Sequence, residues 1–274
     1  MKICLADKMC RVVHKDYLGF PGTNPHIQIV PFDEADFIWY CAMGDGDDLR
    51  HDLGATQVNG KQLISVTLGD GDYRDSLMPT NLKLHFSTST DDWERCVPYL
   101  YDKTIWISEP ERLACFVGSF LTNPARECIK PLASEDVLIR DVDWWHAPES
   151  DHFWLKIEYL KAMDTSKFTL CPRGIGRSSM RLTEAIMCGS IPIMIDDKTR
   201  LFGQDLGEFA LWSGMNTQDI AFALETARNM PYDEYRRRLK LMLEFRKKYL
   251  LRDREAGCEG TLGFTEYIRE MVEG

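Results

Sequence analysis

The residues of this chain best suited to chemistry fall between Lys167 and Asp197, in the stretch KFTLCPRGIGRSSMRLTEAIMCGSIPIMIDD. Arg173, Gly174, Gly176, Ser178 and Ser179 gather in a short polar segment, and Arg181 and Glu184 follow it three residues apart. A guanidinium neutralises phosphate oxygens, a serine hydroxyl caps open backbone NH groups, and a carboxylate accepts hydrogen bonds from sugar hydroxyls. The two glycines let backbone come close to a ligand with no side chain in the way. Serines at a helix start are commonly plain caps, and helix arginines are commonly solvated. Their coincidence with two glycines and Arg173, directly after an apolar run, favours a ligand loop.

The flanking elements explain how such a loop would be held. Phe168 to Cys171 and Ile191 to Ile195 are short, almost wholly apolar and bounded by Pro or Gly, the pattern of neighbouring strands covered on both faces of a parallel sheet. Between them, Leu182, Ala185, Ile186 and Gly189 recur at i, i+3, i+4 and i+7, one face of a helix that can lie on that sheet. Arg181 and Glu184 are then expected on the remaining helix surface. Ser178 and Ser179 fall at its start, where the helix dipole favours an anion.

Three ligands suit this loop. A dinucleotide is one, since Gly174-x-Gly176-x-x-Ser179 follows a strand and Asp196 lies twenty residues past Gly176. The third glycine is Ser, however, and the motif comes after earlier strand and helix units. A Walker loop fails because no Gly-Lys-Ser/Thr follows. A nucleotide sugar is the third, with Arg on the diphosphate and a helix Glu on the ribose.

At these residues the chain resembles the exostosin family of glycosyltransferases, glycosyltransferase family 47. The resemblance is carried by Phe168-x-Leu-Cys-Pro, Gly174, Ser179-x-Arg181-Leu-x-Glu184-Ala-Ile, Gly189-x-Ile-Pro-Ile and Asp197. Weaker echoes are Cys115-Phe-Val-Gly118 followed by Arg126, and Ala35-Asp36-Phe-Ile-Trp-Tyr. The resemblance implies an α/β, GT-B-like fold, two Rossmann-like domains facing across a cleft, and an enzyme that inverts the anomeric centre. It also implies a UDP-sugar co-substrate, a glycan acceptor and no required cofactor. The implied donor residues are Gly118, Arg126, Arg173, Gly174, Ser178, Ser179, Arg181 and Glu184. Xylose, galactose, glucuronic acid and N-acetylglucosamine occur in the family, and xylose is the first choice here.

The family's members generally lie behind a membrane anchor, and this chain departs from that pattern. Lys2, Asp7, Lys8 and Arg11 interrupt its start, and no run of about 18 apolar residues suits a membrane span. A soluble, cytoplasmic relative or a trimmed catalytic domain is expected, and short unanchored members resemble those of giant algal viruses, in which case the host cytoplasm is the expected location. The nine cysteines form no CxxC pair and are expected to be reduced. A net charge of −10 argues against general nucleic-acid binding.

Strands are predicted at Ile3 to Ala6, Phe37 to Ala42, Leu63 to Leu68, Leu82 to Phe86 and Thr104 to Ile107. A second series is predicted at Ala114 to Val117, Val137 to Ile139, the two flanking runs and Phe209 to Trp212. Helical periodicity marks Phe153 to Met163 and Asn216 to Asn229. With a joint at Ser108 to Arg112, the expected domains are residues 1–109 on the acceptor side and 110–250 on the donor side, with a tail, 251–274, returning toward the first. Pro231 to Glu255 carries nine Arg or Lys against five Asp or Glu and reads as an amphipathic helix with a solvated basic side.

An inverting transfer needs a general base opposite the departing diphosphate, and the first domain's strand-end loops hold Asp45-Gly-Asp47 and Asp70-Gly-Asp72. Asp72 and Asp70 are the candidate bases, although Asp-Gly pairs are first of all turn formers. The same triplets suit a metal-dependent Asp-x-Asp transferase, with a divalent cation bridging the diphosphate; it is the less favoured alternative. An NAD-dependent oxidoreductase and a non-catalytic glycan-binding module also stay open. Trp144 and Trp145 could stack on a base but are commonly core residues, and no histidine is assigned a catalytic role.

Overall fold

The computed structural model describes residues 1–5, 27–43, 61–68, 82–87, 109–143, 146–174, 179–196, 201, 204–250 and 266–271. Two five-stranded parallel sheets organise them. The first contains β1 (Lys2–Leu5), β2 (Gln28–Ile29), β3 (Phe37–Met43), β4 (Gln62–Leu68) and β5 (Leu82–Ser87), in the order β2-β1-β3-β4-β5. The second contains β6 (Arg112–Val117), β7 (Val137–Arg140), β8 (Ser166–Pro172), β9 (Ile191–Ile195) and β10 (Leu211–Ser213), in the order β10-β9-β8-β6-β7. Counted within each sheet, the two orders are the same, 2-1-3-4-5. That order reverses between its first and third strands, and the crevice outside the strands' C-terminal ends at such a reversal is where doubly wound sheets bind ligands. In the second sheet it falls between β6 and β8.

The helices of the second unit are α1 (Pro124–Glu127), α2 (Glu149–Asp164), α3 (Met180–Met187), α4 (Thr217–Arg228) and α5 (Tyr232–Phe245), the last running on into a π-helical turn at Arg246–Leu250. Residues 113–117 and 191–195 are buried throughout, as strands covered on both faces must be. Phe168 pairs with Ile191 and Cys171 with Met194 in parallel register, so the two flanking runs are neighbours as expected. Among the described residues no helix is long and apolar enough to cross a membrane.

Three expectations need adjustment, and one strand was not foreseen. β2 spans two residues, too few for periodicity to register, and is found only through its pairing with β1. The predicted strand at Phe209 to Trp212 begins two residues later. Asp205 accepts from the Gly207 NH at 2.9 Å and Ala210 NH bonds back to Leu206 O at 2.7 Å, so a turn occupies its first positions. α2 starts at Glu149, a turn before its apolar periodicity, with Glu149 and Asp151 favourably placed against its N-terminal dipole. Finally, α3 is not one-faced. It packs against β8, β9, α2 and the π turn, so every residue from Arg181 to Met187 is buried. The predicted strand at Thr104 to Ile107 lies outside the described residues.

Candidate functional site

A cleft of about 380 Å³ opens at the reversal between β6 and β8. Its walls are the loop leaving β6 (Gly118, Ser119, Thr122), Arg126 of α1, Val142 beyond β7, the Leu155–Lys156–Tyr159 face of α2, and Met180, Arg181 and Glu184 of α3. Each contributing loop leaves the C-terminal end of its strand, because parallel strands send all such connections to one edge.

Arg181 is the centre of this arrangement, only 6% exposed. Its Nη2 donates to the Val117 carbonyl at 2.6 Å, and its guanidinium lies over the Phe116 ring at 4.3 Å, with the Tyr159 ring 5.6 Å away. Its Nε and Nη1 are buried without a hydrogen-bond partner among the described residues. Gly118 makes the approach feasible: at φ +151° it holds a conformation L side chains rarely adopt, and a Cβ there would run into Arg181 Nη2.

A second guanidinium lies beside the first. Asn123 caps α1 by accepting from Ala125 NH at 3.0 Å, which sets Arg126 facing inward. Arg126 donates from Nε to the Arg173 carbonyl at 3.2 Å and from Nη1 to the Ser119 carbonyl at 2.8 Å, tying the β6 loop to the end of β8. Asn123 Nδ2 adds a bond to the Gly174 carbonyl at 3.3 Å. Burial, and then the charge of Arg181, pull the Arg126 pKa down to about 10. Two neighbouring buried cations make the cleft a place of positive potential.

The carboxylate of the site is Glu184, 4% exposed. The Tyr159 hydroxyl donates to its Oε2 at 2.6 Å. Burial, and then the neighbouring Glu184 charge, push the Tyr159 pKa well above the ordinary phenol value, so the hydroxyl keeps its proton.

The structure thus brings Gly118, Arg126, Arg181 and Glu184 into one cleft. Arg173 and Gly174 stand at its edge and supply the carbonyls that hold Arg126 and Asn123. The expectation that Arg181 and Glu184 sit on an open helix surface is corrected: both are buried, because α2 covers the side of α3 that the sheet does not. Ser179 occupies the N-cap position of α3, but its side chain makes no capping hydrogen bond. Ser178, Asp70, Asp72 and both tryptophans of the Trp144-Trp145 pair lie outside the described residues. The sequence reading did not select Tyr159, Ser119 or Thr122. The signal for Tyr159 was its position on one helical face with Leu155 and Lys156, in the helix just ahead of β8.

Residues 113–213 match the model of the Exostosin GT47 domain. Among solved structures, Anabaena Alr3699/HepE in complex with UDP and glucose aligns over 100% of this chain and 100% of its own, at 11% identity and a TM-score of 0.51. AviGT4, a glycosyltransferase involved in avilamycin A biosynthesis, aligns over 99% of this chain and 97% of its own, at 12% identity and a TM-score of 0.43. An α1,3-fucosyltransferase aligns over 100% and 90% respectively, at 12% identity and a TM-score of 0.42. The HepE likeness speaks for the fold, and the domain match covers the unit that builds the cleft. Residues 113–213 thus resemble an Exostosin GT47 domain, and the chain as a whole has a GT-B-like α/β fold.

Proposed function

We propose that this glycosyltransferase moves a sugar, with inversion, from a UDP-sugar held in the β6–β8 cleft to a carbohydrate hydroxyl of a glycan. The observation that carries the donor reading is Arg181, a buried guanidinium lining the cleft with two unpartnered donors and a second cation beside it. A buried donor without a partner is costly, and a diphosphate supplies acceptor oxygens and two or more negative charges at once. Nε and Nη1 are buried, so engaging them requires the guanidinium to shift within the space that Gly118 leaves. Glu184 then accepts from a ribose hydroxyl.

In the transfer step the acceptor oxygen attacks the anomeric carbon while the carbon–oxygen bond to the diphosphate breaks. The electron pair leaves on UDP, whose new charge Arg181 and Arg126 meet, and the acceptor proton goes to a carboxylate on the opposite side. Asp72 or Asp70 is the proposed base, on a first domain spanning residues 1–109. With two arginines neutralising the leaving group, no metal ion is required. Xylose is the first sugar to assay.

Calorimetric titration of wild type and Arg181→Ala with UDP, GDP and NAD tests the donor site. UDP binding should weaken by roughly 1.5–3 kcal/mol in the variant, the range for hydrogen bonds to charged groups. Thermal melting of the variant controls for folding. Tight NAD binding with no response to UDP would overturn the transferase donor in favour of a dinucleotide. Asp72→Asn and Asp70→Asn should bind UDP normally, and one of them should lose transfer; full activity in both would remove the base assignment. Turnover that EDTA abolishes and Mn²⁺ restores would make the enzyme metal-dependent.

A further inference from the structure

A groove of about 830 Å³ lies at the opposite edge of the second sheet from the donor cleft. Ser166 and Lys167 at the start of β8 and Gly189 just ahead of β9 belong to one wall. α5 forms the other through Tyr232, Tyr235, Arg236, Leu239, Lys240 and Leu243, a helical repeat that carries one face along the groove for about 16 Å. Both tyrosines hold a cation. Lys167 Nζ lies over the Tyr235 ring at 5.7 Å, and Arg236 lies over the Tyr232 ring at 5.7 Å and donates from Nη1 to its hydroxyl at 3.2 Å. Neither Lys167 nor Arg236 has an ion-pair partner among the described residues. Lys167, Arg236, Lys240 and Lys247 outnumber Glu109, Asp164 and Glu244 in the lining. α5 with its π turn carries seven Arg or Lys against three Asp or Glu, in a chain of net charge −10. Tyr232 is 65% exposed, so its ring is open to a ligand.

Resting on the reading of a glycan acceptor above, we propose that this groove is a second carbohydrate site, which holds a carboxylate-bearing stretch of glycan away from the donor cleft. A tyrosine ring offers a flat apolar face to the CH groups of a sugar, and the cation beside it meets a carboxylate on the same chain. A neutral glycan would leave Lys167 and Arg236 unmet. An acidic peptide would meet the cations without placing a sugar ring on Tyr232, and a bilayer surface is too flat to enter a concave groove. The glycan chain and the nucleotide occupy opposite edges of one sheet, so each binds without displacing the other.

The test is calorimetry of the full chain with hexagalacturonate, its fully methyl-esterified form and hexaglutamate. Hexagalacturonate should bind about tenfold tighter than either of the others, and more weakly as salt rises from about 0.05 to 0.5 M. Arg236→Glu combined with Lys240→Glu should lower its affinity about tenfold or more, with UDP affinity and melting temperature as in wild type. Tyr232→Ala should weaken hexagalacturonate and leave hexaglutamate unchanged, a split that charge alone does not produce. Equal binding of the ester would remove the role of the cations, and equal binding of hexaglutamate would make the groove a surface for acidic peptides. Phosphatidylserine vesicles that displace hexagalacturonate would make it a membrane contact, and full hexagalacturonate affinity in the charge-reversed variant would put its site elsewhere. Each of these four results overturns the inference. A chain that binds UDP but no hexagalacturonate defeats this inference alone, whereas one that binds hexagalacturonate but no UDP defeats the donor reading and leaves the groove standing.

Discussion

Two arginines, a glycine and a tyrosine from four different elements make the cleft, and they differ in how readily the sequence discloses them. Arg181 and Glu184 were legible because they stand at fixed spacing inside a short motif between two apolar runs. Tyr159 was not, since its partner lies 25 residues further on and the pairing exists only once α2 packs on α3. Gly118 joins the two cases: its place after β6 was legible, while its reason, the passage of Arg181 to Val117, is spatial. Gly118→Ala should therefore strain the β6 loop by about 1–3 kcal/mol and displace Arg181, lowering both the melting temperature and UDP affinity. Unchanged UDP binding would mean that Arg181 does not need the space. The buried thiols yield a separate expectation. Burial raises the pKa of Cys115 and Cys188 and takes Cys171 to about 12, so almost none of each is thiolate at pH 8. A thiol reagent at that pH should leave all three unmodified in the native protein and reach them after denaturant is added, as peptide mass mapping would register.

At the scale of elements, strand positions were largely legible and helix ends were not. Apolar runs bounded by Pro or Gly located β8 and β9 because buried parallel strands demand uninterrupted hydrophobicity. Caps depend on side-chain torsions that residue type does not fix, and two helices show the contrast. Ser179 sits at the start of α3 without a capping bond, whereas Asn216 at the start of α4 accepts from Asp219 NH at 2.9 Å. Asn216→Ala should cost about 1 kcal/mol by urea denaturation and Ser179→Ala only a few tenths. Comparable losses would mean that the Ser179 hydroxyl does cap in solution. The basic stretch of α5 is tied into local ion pairs, with Glu234 accepting from Arg237 and Arg238 at 2.7 Å. Those bonds, Arg237 first, lower the Glu234 pKa from 4.5 to about 2. A folded pKa below the unfolded one stabilises the protein fully above pH 4.5 and ceases to do so as pH falls through 2. Glu234→Gln should therefore flatten the acid limb of the stability curve within that window and leave its shape at neutral pH unchanged.

On the scale of the whole molecule, the repeated 2-1-3-4-5 strand order shows that the chain folds one kind of layer twice, and only the second layer carries the described cleft. Alternating apolar strands and polar segments made the α/β class legible; strand order was not, because pairing between distant strands is decided by how helices cover the two faces. Every residue lining the cleft falls between Val117 and Glu184, so a ligand bound there adds its free energy to the second unit directly. At a concentration 100 times its dissociation constant, UDP stabilises whatever unfolds with its site by about 2.7 kcal/mol, which slows exchange through that opening about 100-fold. If the layers open independently, hydrogen exchange with UDP should fall in peptides covering β6, α2, α3 and β8 and stay unchanged in peptides covering β1, β3 and β4. Equal protection of both sheets would mean that they unfold as one cooperative unit. Protection confined to the first sheet would be incompatible with donor binding between β6 and β8, since no linkage could stabilise the remote layer while leaving the layer that holds the ligand untouched.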